Sequence, residues 1–323
     1  MVKRSIVLLM FCAASSILIY GSFKKLSLNQ ENIPTKTRYF EYSSKVPEKQ
    51  CIEQQLRQST LERACKNLKL NRKKPLKNKE FMKLIRRTRL YFSDRYKLLA
   101  CLIPKVGCTS FKKVLLMSES LTNETNPKKI KGVHDTANRL LLLSNLGDIT
   151  EIKHRVLTYY KVMMVREPLH RVLSAYRDKF LGNMDPIFQK MANKIHSKFS
   201  NSHEQIDNSS QSISFEEFAN FVSQMSSTKI NNRHWEFYYR LCSPCIIKYD
   251  YIAKLETVDE DMDYIMDKVG MTNKSFPQNY PPQKRTNDKK VAEYFKNLPE
   301  LKKSLIRKYK YDFELFGYSP KLK

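Results

Sequence analysis

The segment Cys101–Lys113, with the sequence CLIPKVGCTSFKK, constrains the fold more than any other part of the chain. The apolar run Leu98–Ile103 leads into it and has the length of a buried strand. After the segment's polar centre, Phe111, Val114 and Leu115 recur at helical spacing. The pattern therefore predicts a strand, a tight loop and a helix in succession.

The loop of this unit has the composition of an anion-binding turn. Pro104 ends the strand, and Gly107 permits a backbone angle that other residues avoid. Thr109 or Ser110 can cap the helix, whose free N–H groups would point into the loop, and Lys105 adds a mobile ammonium group. An ordinary turn that binds nothing explains these residues equally well. The nucleotide-binding signature GxxxxGK[ST] is absent.

A second unit of the same kind begins with Val156–Val165, which is rich in β-branched, aromatic and Met residues and predicts a strand. Arg166 follows it, and Pro168 suits the first turn of a helix in which Ser174 lies about two turns on. Arg166 would lie at the carboxyl end of its strand, where open α/β sheets bind ligands. The alternative is that Arg166 pairs with Glu167 or Asp178. Two such units predict an α/β fold with a parallel sheet and flanking helices.

Other patterns predict the remaining elements of the chain. A polar segment, 182–212, predicts a loop, most clearly over residues 200–212. Helices are predicted over 51–70, over 215–225 with Ser214 as cap, over 256–269 and over 289–309, and a strand over 246–255.

The charge of the chain narrows its partners. The 323 residues suggest one large or two small domains, and 59 Lys and Arg against 32 Asp and Glu give a formal net charge of +27. Such an excess attracts polyanions, namely nucleic acid, acidic polysaccharide or an anionic membrane.

The first residues favour a secretory-pathway protein. The uncharged apolar run Ile6–Phe23 lies between Lys3-Arg4 and Lys24-Lys25. We interpret it as an uncleaved type II signal anchor, with a cleaved signal peptide as the alternative. The predicted organisation is a cytoplasmic tail over 1–5, an anchor helix over 6–23, a lumenal stem over 24–86 and a catalytic domain over 87–323. A lumenal body makes nucleic acid an unexpected partner.

Two further features agree with a lumenal body. Asn123, Asn208 and Asn273 begin glycosylation sequons. Beyond Cys12 the chain has an even number of cysteines, which permits disulfides without assigning their pairing. They are Cys51, Cys65, Cys101, Cys108, Cys242 and Cys245. The Cys242-Ser-Pro-Cys245 pair favours structural disulfides over a redox or metal site, because no second pair completes a zinc site.

Five segments in order resemble the Golgi carbohydrate sulfotransferases of the chondroitin/dermatan 4-sulfotransferase and HNK-1 sulfotransferase group. The resemblance spans residues 90–318 in outline. It rests on Ile103–Lys112, on Val165–Phe180, on His234-Trp235 with Leu241–Cys245, on Lys248–Tyr251 with Lys254–Thr257, and on Asp312–Tyr318.

The resemblance implies a sulfotransferase fold, with 3′-phosphoadenosine 5′-phosphosulfate as the sulfate donor and no metal. It assigns the 5′-phosphosulfate to the first loop, Lys105 to the bridging oxygen that leaves, and the 3′-phosphate to Arg166 and Ser174. The donor-binding residues of the loop would be Pro104, Lys105, Val106, Gly107, Cys108, Thr109 and Ser110.

The resemblance also implies a base and an acceptor. His134 lies where the family carries a histidine between its donor-binding segments, and His234 and Glu167 are the fallback candidates. The implied acceptor is a glycan in the Golgi lumen, with 4-O-sulfation of GalNAc in chondroitin-type chains as the specific expectation. The alternatives are an inactive lumenal binder of sulfated glycans and a secreted nucleotide kinase, which the missing GK[ST] and Mg²⁺-ligand pattern disfavour.

Overall fold

The computed structural model describes residues 48–71, 75–182, 184–200, 213–226, 231–271, 276–277 and 285–320. The chain divides into two compact units, Met1–Gln55 and Leu56–Lys323, and the described part of the first is the start of one helix. The strands are β1 (Leu90–Ser93), β2 (Leu98–Cys101), β3 (Tyr160–Val165) and β4 (Tyr251–Lys254). The helices are α1 (Glu48–Asn67), α2 (Asn78–Arg87), α3 (Cys108–Ser118), α4 (Val133–Leu140), α5 (Ile149–Thr158), α6 (Pro168–Lys179), α7 (Pro186–Phe199), α8 (Phe215–Ser223), α9 (Tyr238–Leu241), α10 (Val258–Lys268), α11 (Asp288–Phe295), α12 (Pro299–Lys308) and α13 (Lys310–Phe316).

The four strands form one sheet in the order β1-β2-β3-β4. β2, β3 and β4 are parallel, as the sequence predicts, and their side chains are almost all buried, as is usual for parallel strands. β1 is antiparallel to β2 at one edge. Only the turn 94–97 joins them, which is too short for the crossover that parallel strands need.

Three predicted elements have different bounds in the structure. The predicted strand over 156–165 begins only at Tyr160, because residues up to Thr158 continue α5, which starts where the Asp148 side chain accepts from the Thr150 N–H. The predicted strand over 246–255 contracts to β4, because the N–H groups of residues 246 and 247 both bond the Ser243 carbonyl in a turn. The helix predicted over 289–309 is two helices, the second of which begins at Pro299.

Other helix predictions agree well with the structure. The predicted helix over 215–225 is α8, and the Ser214 side chain accepts from the Glu217 N–H in a capping box, as the sequence indicates. The predicted helix over 256–269 is α10, and the one over 51–70 is α1. The polar segment 182–212 contains a helix that the sequence reasoning missed, α7, which Asp185 and Pro186 start; residues 201–212 lie outside the described residues.

Two disulfides between described residues join segments that are distant in the sequence. Cys65 bonds Cys245, and Cys101 at the end of β2 bonds Cys242, while Cys108 is a buried free thiol. Both cysteines of the Cys-x-x-Cys pair are therefore structural, as predicted, but each pairs with a remote partner.

The N-terminal predictions fall largely outside the described residues. The anchor 6–23 and the stem up to residue 47 are not described, so the domain bounds stay predictions. Among the helices of the described segments, none is long and apolar enough to cross a membrane. Within the second unit, Arg57 of α1 forms a buried salt bridge of 2.8 Å with Asp261 of α10.

The core has two parts. One surrounds the sheet, and the other lies between α6, α8 and α12, around the single tryptophan, Trp235, which is fully buried. Phe180 and Phe218 both pack against the Trp235 ring. This second part fixes the position of the chain segment 231–237, which borders the cavity described next.

Candidate active site

The loop after β2 takes a tight left-handed path into α3. Lys105 has φ +73° and Gly107 has φ +88°. Gly107 is the N-cap of α3, so the prediction that Thr109 or Ser110 caps the helix is wrong, since both lie inside its first turn. A Cβ at Gly107 would lie 3.3 Å from both Leu255 Cδ1 and Met164 Cε, so the position favours glycine for its backbone angle and for its space.

Two arginines of the second strand–loop–helix segment, which contains β3 and α6, bind the carbonyl groups of the loop. Arg171 Nε donates to the Pro104 carbonyl at 3.1 Å, and Arg166 Nη1 donates to the Lys105 carbonyl at 3.3 Å. Among the described residues, the backbone N–H groups of 105–109 have no hydrogen-bond acceptor. Unpaired N–H groups at the start of a helix, in a loop of left-handed residues, favour an anion.

Arg166 lies at the carboxyl end of β3, as predicted. Arg166 is buried, with 7% of its surface exposed, and burial lowers its pKa. Its Nη2 donates to the Thr286 carbonyl at 2.7 Å. The predicted alternative, a pair with Glu167 or Asp178, is wrong. Glu167 accepts from the His170 N–H, and Asp178 accepts from Lys105 at 3.3 Å and from Lys179 at 3.1 Å.

One cavity of about 1570 Å³ is lined by residues of both strand–loop–helix segments. It is lined by nearly all of the predicted site residues, namely Pro104, Lys105, Gly107, Cys108, Thr109, Ser110, His134, Arg166 and Ser174. The exception is Val106, whose side chain is fully buried in the core, so that only its backbone can face a ligand. Arg177, one turn beyond Ser174, lines the same cavity and donates to the Thr286 hydroxyl at 3.1 Å.

Lys105 shares the cavity with a carboxylate. Burial lowers the pKa of Lys105, and the ion pair with Asp178 opposes that shift. The pKa of Asp178 lies below its usual value, because Lys105 and Lys179 outweigh the effect of burial. Asp178 therefore keeps the Lys105 ammonium charged and oriented beside the loop.

His134, at the start of α4, directly contacts α3, the helix that follows the loop. Its Nε2 lies 3.1 Å from Thr109 Oγ1, and its Nδ1 lies 3.3 Å from Lys112 Nζ. Burial lowers the pKa of His134, and the nearby Lys112 cation lowers it further. The imidazole is therefore neutral near neutral pH, as a proton acceptor must be.

The two fallback bases differ from His134 in their surroundings. His234 lines the cavity, but burial lowers its pKa to about 3, and its Nδ1 has no hydrogen-bond partner among the described residues. Glu167 caps α6 by accepting from the His170 N–H at 2.6 Å, and burial raises its pKa to about 7. Since its carboxylate has a capping role, Glu167 is the weaker of the two.

Sequence reasoning missed a polar network behind His134. Lys112 Nζ and Arg89 Nη2 both donate to Asn138 Oδ1 at 2.9 Å, and the Tyr91 hydroxyl also contacts that oxygen. The ammonium of Lys112 lies 4.4 Å from the centre of the Tyr91 ring. These residues come from three separate elements, and no local pattern in the sequence links them.

Arg171 was also missed as a site residue. It is 1% exposed and donates to three carbonyls, those of Pro104 at 3.1 Å, Glu236 at 2.7 Å and Arg233 at 2.9 Å. The available signal was an arginine inside the apolar stripe of α6, next to Val172. A buried cation in such a stripe needs several acceptors.

The remaining predictions concern modification and metal. Asn123 is exposed just after α3, while Asn208 and Asn273 lie outside the described residues. No group of three or more His, Cys, Asp or Glu side chains in the described segments could hold a metal ion.

Comparisons with known proteins agree in one family. The profile described as "Sulfotransferase family" matches residues 88–319. Carbohydrate sulfotransferase 11 of Mus musculus is 32% identical over 237 residues, covering 71% of this chain and 67% of the relative. Carbohydrate sulfotransferase 14 of Danio rerio is 34% identical over 230 residues, covering 70% and 61%. Carbohydrate sulfotransferase 10 of Danio rerio is 33% identical over 243 residues, covering 71% and 66%. No solved structure matches the chain.

Proposed function

The chain belongs to the sulfotransferase family, and on that premise we propose that it transfers a sulfuryl group from 3′-phosphoadenosine 5′-phosphosulfate to a hydroxyl group of a glycan. The observation that carries the proposal is the contact between Thr109 and His134, 3.1 Å. It brings a neutral imidazole to the edge of a loop whose N–H groups are unpaired among the described residues.

The residues present fit such a donor. The N–H groups of 105–109 and the Thr109 hydroxyl would hold the 5′-phosphosulfate, as the start of α3 favours negative charge. Arg166 uses one Nη1 and one Nη2 hydrogen for carbonyls, which leaves three of its five N–H donors for the 3′-phosphate, together with Ser174. The binding of two charged groups at separate points fixes the position of the donor.

The chemistry needs position and charge compensation more than covalent help. The acceptor oxygen forms a bond to sulfur while the bond from sulfur to the bridging oxygen breaks, which releases 3′-phosphoadenosine 5′-phosphate. His134, which contacts Thr109 at the edge of the loop, takes the proton of the acceptor hydroxyl. Lys105 offsets the charge that develops on the leaving oxygen, and Asp178 keeps that ammonium protonated.

The acceptor we propose is a chondroitin-type chain, sulfated at the 4-hydroxyl of GalNAc in the Golgi lumen by a type II membrane enzyme. The relatives' names support a carbohydrate acceptor, and the net charge of +27 supports an acidic one. An inactive binder of sulfated glycans would have the same charge, but the binding of a glycan does not require a basic loop beside a neutral histidine.

The test is to incubate the full-length protein with radiolabelled donor and a panel of desulfated glycosaminoglycans, followed by disaccharide analysis. We expect label in GalNAc 4-sulfate. The product 3′-phosphoadenosine 5′-phosphate should raise the melting temperature. A protein that binds sulfated glycans but neither binds this nucleotide nor transfers label would be the inactive binder.

The base is tested separately. His134→Ala should reduce the rate of transfer at least about a hundredfold, since general bases contribute that much or more, and should leave nucleotide binding intact. An unchanged turnover would remove His134 from the mechanism.

A further inference from the structure

Three cations lie near His134, and one of them, Lys112, contacts the ring nitrogen that does not contact Thr109. Arg89 and Lys112 flank the same Asn138 oxygen at 2.9 Å, and Lys112 also contacts His134 at 3.3 Å. Arg233 lines the same cavity and is exposed, and its charge acts on both Arg89 and Lys112. We call Arg89, Lys112 and Arg233 the cationic cluster.

Among the described residues the cationic cluster forms no salt bridge, although the Asp135 carboxylate acts on Lys112 from a distance. Its hydrogen-bond partners in the described part of the chain are neutral side chains. The three acids that line the cavity are engaged elsewhere. Asp178 pairs with Lys105, Asp288 contacts His170, and Glu256 accepts from a backbone N–H and a tyrosine hydroxyl.

Electrostatic effects agree with this geometry. Burial lowers the pKa of Lys112 to about 8. Cys108 and Asp135 oppose this shift, whereas the repulsion from Arg89 and Arg233 adds to it. Burial and Arg89 also lower the pKa of Arg233. An anion bound among the three would relieve this repulsion.

The cluster is separate from the groups that fit the donor. Lys105 and Arg166 meet on one side of the loop, through the Lys105 carbonyl. Lys112 and Arg89 of the cationic cluster are instead linked to His134 and Asn138. An acceptor whose hydroxyl lies at His134 would therefore place its next sugar against the cluster.

We propose that the cationic cluster binds the carboxylate of a uronic acid adjacent to the sugar that is sulfated. This inference rests on the proposed function and deepens it. The planar guanidinium of Arg233 suits a carboxylate, because it can donate two parallel hydrogen bonds. The Arg171 side chain holds the Arg233 carbonyl at 2.9 Å, so the guanidinium extends from an anchored segment.

The experiment compares two acceptors, desulfated chondroitin and the same polymer with its carboxyl groups reduced to alcohols. For the wild-type full-length protein, we expect kcat/KM to be roughly tenfold higher on chondroitin, as for the loss of one charged contact. In Arg233→Gln this ratio should fall to near one, mainly through KM on chondroitin. Arg233→Lys should keep part of the wild-type preference for chondroitin, because lysine has the same charge but cannot donate two parallel hydrogen bonds to a carboxylate.

Arg139→Gln is the matched control. It removes the same charge from an exposed arginine on α4 that does not line the cavity, and it should keep the wild-type ratio. The thermal shift with 3′-phosphoadenosine 5′-phosphate should be the same in Arg233→Gln and wild type, which shows that the fold and the donor site are intact.

The outcomes separate the two proposals. If the wild type sulfates both polymers equally, or if Arg233→Gln lowers both activities by the same factor, the carboxylate site is wrong and the sulfotransferase stands. If the wild type binds the nucleotide but labels neither polymer nor any other glycan of the panel, the proposed function is wrong and the carboxylate site falls with it.

Discussion

Arg171 offers the sharpest test of how the site is held together. Its guanidinium is buried and donates to the carbonyls of Pro104, Arg233 and Glu236. Arg171→Met keeps most of the side-chain volume but leaves one buried and two partly buried carbonyls without these donors. Each such carbonyl costs about 1 kcal/mol or more, and the removal of a buried charge returns part of that cost. We expect a loss of about 3 kcal/mol in the free energy of unfolding.

The same substitution should weaken donor binding. Because Pro104 starts the loop, its release should lower the affinity for 3′-phosphoadenosine 5′-phosphate by roughly tenfold, the equivalent of about 1.4 kcal/mol. Arg171→Lys can donate to fewer of the three carbonyls, so it should lie between the wild type and Arg171→Met in stability. Urea denaturation gives the stability, and isothermal calorimetry at a temperature where all variants are folded gives the affinity.

Arg155→Met is the matched control for Arg171→Met. Arg155 also makes several hydrogen bonds, to Asp94 and Glu151, but it does not line the cavity. We expect it to lower stability and to leave nucleotide affinity unchanged. The proposed role of Arg171 is refuted if the free energy of unfolding of Arg171→Met lies within about 1 kcal/mol of the wild-type value. It is also refuted if Arg155→Met loses as much nucleotide affinity as Arg171→Met.

Two further predictions concern pH and the disulfides. Lys112 lowers the pKa of His134, so Lys112→Met should raise that pKa and move the acidic limb of the kcat/KM profile to higher pH, since only the neutral imidazole accepts a proton; a limb that stays in place would show that His134 does not set it. The Cys101–Cys242 disulfide lies inside the Cys65–Cys245 disulfide, so with the latter intact it closes a loop of about 40 residues, and Cys101→Ala with Cys242→Ala should cost about 4 kcal/mol by loop entropy in urea denaturation. A loss below about 1 kcal/mol would contradict that estimate.

The sequence predicted the elements whose ends carry local signals. Pro104 and Gly107 mark the end of β2 and the start of α3, and Pro168 marks the start of α6. The boundary between α5 and β3 was missed, because Val156 and its apolar neighbours continue from one element into the other without a break in hydrophobicity. Periodicity alone does not separate a short buried helix turn from a strand.

Residues that act through the tertiary structure could not be predicted in the same way. Arg89 and Arg233 are 144 positions apart in the sequence, and neither belongs to a motif. The even cysteine count allowed disulfides but gave no pairing, and it gave no reason to leave Cys108 free. Which distant residues become neighbours depends on the strand order of the sheet, because that order decides which loops lie at the same edge.

The pairing of β2 with β3 explains why two segments so far apart in the sequence form one site. The strands are parallel, and Cys101 lies opposite Met163. Pro104 and Arg166 each follow that pair by three residues, so both chains leave the sheet at the same edge and at the same height. Arg166 therefore reaches the Lys105 carbonyl without a long connection. A shift of one residue in this register would point the alternating side chains of β3 to the opposite face, so the register fixes the core and the site together.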